Sequence, residues 1–323
     1  MNFDAYLVQC SVSFSQKSSF FSAIFERKCD TATFAFEKKG SVMLILKKVT
    51  DLQRWLSSQN LPIGFVPTMG ALHEGHLELV RMAKRDGCLV VTSIFVNPTQ
   101  FNDPKDLEKY PRTPEKDAAL LVTAECDALF LPGVEEVYPI GLDLSIELDF
   151  NQLDTVMEGE FRPGHFQGMA TVVHRLLDIV RPQRLYMGQK DYQQLSIVRD
   201  MIRQLNIPTQ LVMCPTVREP DGLAMSSRNV RLSPMMRAAA PVIFQTLQWA
   251  KTALKNGANA HAVETDAVQK MTDAGLLPEY FQVVDGVTLL PISDWNAHNF
   301  IVACTAAFAG DVRLIDNLVL RPS

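Results

Sequence analysis

From Met43 onward the chain alternates short apolar runs with stretches whose apolar residues recur at helical spacing. Ile63-Gly64-Phe65-Val66 is a strand pattern, and Leu77, Leu79, Val80, Met82 and Ala83 then mark one face of a helix. The run from Cys88 to Val96 is continuous and largely β-branched, as a strand buried on both faces requires. Two such strands joined by one helix predict a right-handed parallel crossover. The same alternation predicts helices over 51–58, 114–125 and 168–180 and from 192 to 205, with strands over 127–131, 184–187 and 209–214. A loop-rich section carrying Pro132, Gly133, Pro139 and Gly141 interrupts it. The expectation is a doubly wound, Rossmann-like parallel α/β sheet whose ligand crevice lies beyond the carboxyl ends of the strands.

After Pro215 the pattern changes to a polar loop over 218–229, a long helix over 234–255, a second over 260–274, and strand-like runs at 280–284, 300–305 and 312–320. This reads as a smaller α+β domain, 215–323, closing over a first domain of 43–214. Residues 1–42 have no sustained period, carry eight phenylalanines or tyrosines and many serines, and are expected to stay outside the main fold. A transit peptide is one reading of them, opposed by Asp4, Glu26, Asp30 and Glu37; an upstream start codon is the favoured one, because Met43-Leu-Ile-Leu has the look of a natural beginning.

Composition narrows the function. With 323 residues and 47% hydrophobic content the chain can bury a sizeable core, and about two domains are expected from a ~150-residue prior. A net charge of −5 argues against non-specific nucleic-acid binding, so any anionic ligand must be captured locally. Six scattered cysteines (Cys10, Cys29, Cys88, Cys126, Cys214, Cys304) form no C-x-x-C pair and read as reduced residues; no apolar window reaches membrane-span length, and a cytoplasmic protein is expected.

Four turns carry polar residues where such a sheet holds its ligand. The first is Pro67-Thr-Met69-Gly70-Ala71-Leu72-His73-Glu74-Gly75-His76, a strand that delivers a glycine turn to a helix start. Unpaired backbone N–H groups and the positive end of the helix dipole favour a phosphate there, and two histidines three apart can donate to one anion. The second is Asn97-Pro-Thr-Gln100-Phe101, whose amides can hold a hydroxyl or carboxylate. The third, Gly188-Gln189-Lys190-Asp191 with Gln193 and Gln194 one turn on, aims a point charge at phosphates. Met225-Ser226-Ser227-Arg228-Asn229 is the fourth, suited to a pyrophosphate leaving group and similar to the K-M-S-K-S loop of class I adenylating enzymes with its first lysine absent. Arg162, in Arg162-Pro-Gly-His-Phe166, is a fifth candidate or a structural tether. Each has a plainer reading as a turn, a solvated lysine or a helix cap.

The H-x-G-H of the first turn is the phosphate signature of the class I nucleotidyltransferases. Together with S-I-F-V-N-P-x-Q-F, Y-P-R-T at 110–113, R-P-G-H-F, G-x-K-D-x-Q-Q, S-S-R-N and R-L-I-D-N at 313–317, it makes the chain resemble the pantoate-beta-alanine ligase family from Met43 to about Leu320. Gln189 and Thr99 stand where many members have glutamate and methionine. The resemblance implies an enzyme that makes pantothenate from pantoate, beta-alanine and Mg²⁺-ATP through pantoyl adenylate, acting as a homodimer. It implies an ATP site at Met69–His76, Gly188–Asp191, Val217 and Met225–Arg228, with His73, His76 and Lys190 catalytic. Pantoate would fall to Gln100 and Gln194, with Asn97 and Arg162 nearby; the metal ligands stay open. The alternatives are another class I adenylyltransferase acting on a different small acid, and a nucleotide-binding module without turnover.

Overall fold

The computed structural model describes residues 34–38, 41–100, 107–108, 110–143 and 146–322. The chain forms two compact units, one of residues 1–148, 167–187 and 201–214, the other of 149–166, 188–200 and 215–323. They interleave along the sequence, where the sequence pattern suggested one boundary at 214.

The first unit is built on a seven-stranded sheet in the order β1-β2-β5-β4-β3-β6-β7, with β1 Phe34–Lys38, β2 Ser41–Leu46, β3 Ile63–Thr68, β4 Leu89–Ile94, β5 Ala128–Phe130, β6 Arg184–Gly188 and β7 Gln210–Cys214. β2, β5, β4, β3 and β6 run parallel in register pairs such as Phe65↔Val91 and Phe65↔Leu185. The connecting helices are α1 Val49–Ser57, α2 Glu74–Arg85, α3 Pro114–Thr123, a short α4 Val134–Val137, and α6 His165–Val180. Helices on both faces explain why the strand residues Phe65, Val66, Val90, Val91, Leu129 and Phe130 are all fully buried. The strand order reverses at β3, the position where an open parallel sheet binds its ligand.

One expectation is corrected here. Residues 34–38 pair antiparallel with β2, Phe34↔Ile45 through Lys38↔Ser41, so part of the first 42 residues belongs to the sheet. The backbone groups along the outer edge of β2 otherwise lack partners, and any extended segment can satisfy them without a periodic pattern of its own. Residues 1–33 lie outside the described residues, and with them Cys10 and Cys29; the other four cysteines are buried free thiols.

The second unit holds an antiparallel sheet, β10-β9-β8, of β8 Leu277–Asp285, β9 Ile301–Ala309 and β10 Val312–Arg321. Its helices are a short α5 Glu158–Phe161, the first residues of α7 Tyr192–Gln204, α8 Pro234–Ala239, α9 Val242–Lys255 and α10 Ala260–Asp273. Ile243, Leu247, Ala250, Val263 and Met271 pack with Phe281, Val283, Ala303 and Ala307 in its core. The single helix expected over 234–255 is two, because Pro241 has no N–H to donate to the preceding turn. Among the described residues no helix is long and apolar enough to cross a membrane.

Candidate active site

In the first unit β3 ends at Thr68, whose hydroxyl donates to the Ser93 carbonyl (2.8 Å) and accepts from Gly70 N (3.3 Å). The chain then turns through Gly70 (φ +84°) and Ala71 (φ +50°). A left-handed alanine is strained, and the turn is held by Asp117 on α3: its carboxylate accepts from Ala71 N (2.9 Å), Leu72 N (2.8 Å) and the Thr113 hydroxyl (3.2 Å). Asp117 is 1% exposed, and burial pushes its carboxyl up despite the hydrogen bonds from Leu72 and Ala71 that pull it down.

α2 opens on the two histidines. His73 is its N-cap, its Nδ1 accepting from Gly75 N (3.2 Å), while His76 Nδ1 accepts from His73 N (3.3 Å) in a reciprocal capping box. Both imidazoles are half-buried and turn Nδ1 toward the backbone of the helix start. The ring centroids lie 4.1 Å apart, which puts two imidazoles together at a helix N-terminus.

Asn97 (1% exposed) and Gln100 (8%) follow β4. The Asn97 amide is spent on structure: Oδ1 accepts from Tyr138 (2.9 Å) and from the hydroxyl and amide of Thr99, and Nδ2 donates to the Gly168 carbonyl and to Gln100 Oε1, both 3.3 Å. Gln100 Nε2 in turn reaches Met69 Sδ, so the second turn abuts the first.

In the second unit the Gln189–Asp191 turn, a short 3₁₀ helix, follows Gly188. Lys190, Gln194, Arg162 and His165 line one cavity of about 50 Å³, whose wall includes Tyr280, Asp316 and Asn317. Burial lowers the Arg162 guanidinium from its ordinary value; Glu158 opposes this and the like charges of Arg228 and Arg313 add to it. A buried cluster of cations that disfavour one another is a site that an anion stabilises. Arg313 is held in place by Glu158 (2.8 Å at two nitrogens) and Glu279 (2.5 Å), and Tyr280 donates to Glu158 (2.8 Å). Burial alone would raise the Glu158 carboxyl, but the hydrogen bonds and charge of Arg313 outweigh it and hold it below the ordinary range. Met225 N donates to the Val217 carbonyl (2.9 Å), closing the loop that leads to Ser226; the Ser226 side chain accepts from Arg228 N (3.2 Å) at the start of a 3₁₀ turn that also contains Ser227.

The predicted residues thus fall into two sets, Met69–His76 with Asn97 and Gln100 in the first unit, and Arg162, Gly188–Asp191, Gln194, Val217 and Met225–Arg228 in the second. The sequence pattern missed Asp117, Tyr138, Glu158 and the ion pair of Arg218 with Asp316 (2.6 Å). Asp117 reads in sequence as an ordinary acid in the first turn of a helix. Asp316 did leave a signal, a carboxylate inside an apolar strand run.

A parallel sheet that presents a capped, histidine-bearing helix start beyond β3, in a chain that also places Arg162 and Lys190 in one cavity, defines an α/β enzyme of the nucleotide-binding class. The model of the pantoate-beta-alanine ligase family matches residues 44–319. The chain is 47% identical over 284 residues to a pantothenate synthetase of Thermus thermophilus and 46% over 289 residues to one of Bacteroides fragilis, in each case covering 87% of this chain and 100% of the relative. The solved pantothenate synthetase of Thermus thermophilus superposes with a TM-score of 0.77 at 44% identity, covering 86% of this chain and 99% of that one. Pantoate-beta-alanine ligase of Francisella tularensis, solved with beta-gamma ATP and beta-alanine, gives 0.71 at 36%, covering 86% and 98%. The chain belongs to the pantoate-beta-alanine ligase family. It is an AMP-forming ligase that condenses pantoate with beta-alanine, using ATP and passing through pantoyl adenylate.

Proposed function

We propose that the histidine turn binds the phosphates of ATP, and that Lys190 and Arg228 also bear on them. The reaction needs no strong base: the pantoate carboxylate is already ionised when it attacks the α-phosphorus, and the bond to the β-phosphate breaks as pyrophosphate leaves. The protein's part is to position the two reactants and to stabilise charge on the phosphates. The observation that carries this reading is the capping box, which fixes both imidazoles at the N-terminus of α2. Two imidazoles at a helix start can donate hydrogen bonds to phosphates where negative charge develops. Lys190 and Arg228 supply the countercharge for the phosphates, and Met69–Leu72, Glu74, Gly75, Gly188, Gln189, Asp191, Val217 and Met225–Ser227 form the surrounding nucleotide contacts.

Pantoate is assigned to Gln100 and Gln194, with Arg162 beside its carboxylate and Asn97 orienting Gln100. In the second step the amine of beta-alanine attacks the acyl carbon, and the bond to the AMP oxygen breaks. Mg²⁺ enters as the counter-ion of the triphosphate; the donors around this site are basic, and among the described residues no cluster of three or more acidic, histidine or cysteine side chains is placed to hold a metal. The adenylate is kept from water until beta-alanine attacks, and the enzyme works as a cytoplasmic homodimer.

The test is release of pyrophosphate and AMP from Mg²⁺-ATP. Pyrophosphate is expected only when pantoate is present, and AMP with pantothenate only when beta-alanine is added. Pyrophosphate release indifferent to pantoate would overturn the assignment of the acid.

A further inference from the structure

Within the R-L-I-D-N run of β10, Asp316 (4% exposed) and Asn317 (2%) are buried polar groups to which the chemistry above gives no role. Asn317 Nδ2 donates to the carbonyls of both Gln189 and Lys190, each at 2.8 Å, and Asn317 Oδ1 accepts from Gln189 Nε2 at 3.1 Å. Both amide hydrogens are therefore used on the turn that carries Lys190, and the amide oxygen takes a third bond from the same turn. Asn317 is itself fixed. Its N–H donates to Asp316 Oδ1 (2.8 Å), and the Asp316 carboxylate takes a two-nitrogen fork from Arg218 (2.6 and 3.0 Å), whose guanidinium lies 3.7 Å above the Phe244 ring.

Three side-chain bonds from Asn317 thus tie the Gln189–Asp191 turn to β10. We propose that Asn317, braced by the Arg218–Asp316 ion pair, is a positioning residue that sets where Lys190 delivers its ammonium. The proposal rests on the reading that Lys190 bears on the phosphates of ATP. Aspartate at 317 keeps the size and shape but turns the two donors into acceptors that face carbonyl oxygens. Only its protonated form can restore a single donor.

The experiment uses full-length Lys190→Ala, Asn317→Ala, the double variant and Asn317→Asp, with single-turnover pyrophosphate release at saturating ATP and pantoate, and thermal unfolding alongside. Asn317→Ala is expected to slow the step by ~10–100-fold, the scale of a misplaced catalytic group. In the Lys190→Ala background the same change is expected to cost under ~3-fold, because the clamp then has no ammonium to aim. The rate of Asn317→Asp relative to the unsubstituted enzyme is expected to fall as pH rises and its carboxyl ionises. Multiplicative losses in the double variant, or a flat Asn317→Asp ratio across pH, would overturn the inference. Loss at Lys190→Ala of only a few fold would instead overturn the reading beneath it. Should Asn317→Ala fail to fold, the pH ratio of Asn317→Asp decides.

Discussion

Asp117 offers the sharpest test of how the histidine turn is held. Replacing it with alanine removes the acceptor for Ala71 N and Leu72 N and leaves two donors in a turn that water reaches poorly. Hydrogen bonds to a charged group contribute about 1.5–3 kcal/mol each, so the pair stabilises by about 3–6 kcal/mol. Burial of the carboxylate offsets part of this, as its raised carboxyl shows, which brings the expected loss to about 2–4 kcal/mol. For a unit of this size that lowers Tm by on the order of 10 °C. Asp117 holds the N–H of the left-handed Ala71, so the loss should also be local. Hydrogen exchange at the amides of 71 and 72 should accelerate more than that of β4, and adenylation should slow by up to ~100-fold as the histidines drift. Asp117→Asn, which keeps one acceptor oxygen, should fall between. An Asp117→Ala protein within about 0.5 kcal/mol of the parent, with unchanged exchange at 71 and 72, would refute the reasoning.

Other expectations are read in simpler assays. His76→Ala should slow single-turnover adenylation by ~100-fold or more, the usual loss for one preorganised donor, and a rate within a few fold of the parent removes His76 from the chemistry. A Cβ on Gly168 would lie 2.5 Å from the Thr99 carbonyl oxygen and 3.3 Å from Gln100 N, so Gly168→Ala must displace the 97–100 turn. It should raise the KM for pantoate by ~10-fold or more while leaving ATP binding near the parent value, and an unchanged pantoate dependence would sink the role given to Gln100. Glu158 has a folded carboxyl below its ordinary value of 4.5, so its stabilisation is complete above that value and is lost as pH falls through the folded one. Glu158→Gln should therefore flatten the decline of Tm on acidification below pH 4.5, and an unaltered slope would show that Arg313 does not hold the carboxylate ionised in the fold.

Much of this protein is legible along the chain. The period-2 and period-3.6 runs mark nearly every strand and helix of the parallel sheet, because burial on both faces leaves little freedom in residue type. The histidine turn and the lysine turn are equally plain, since contiguous residues at a strand-to-helix junction carry them. The break at Pro241 was also written in the sequence, as a residue without an N–H, though the helical period ran straight through it.

Tertiary structure alone decided the rest. Nothing local says that residues 34–38 would pair with β2, since an edge accepts any extended backbone. Nor does the chain reveal that Asp117 holds a turn 45 residues earlier, through Leu72, or that Asn317 clamps one 127 residues earlier, at Lys190. The sequence by itself determined the order of strands and helices and put the histidine and lysine turns at strand-to-helix junctions, because local period and contiguous residues carry both. The fixing of the histidine and lysine turns and the shifted acidities of the buried carboxylates were decided by hydrogen bonds that exist only when distant segments meet, and those energies depend on a burial that no local pattern encodes.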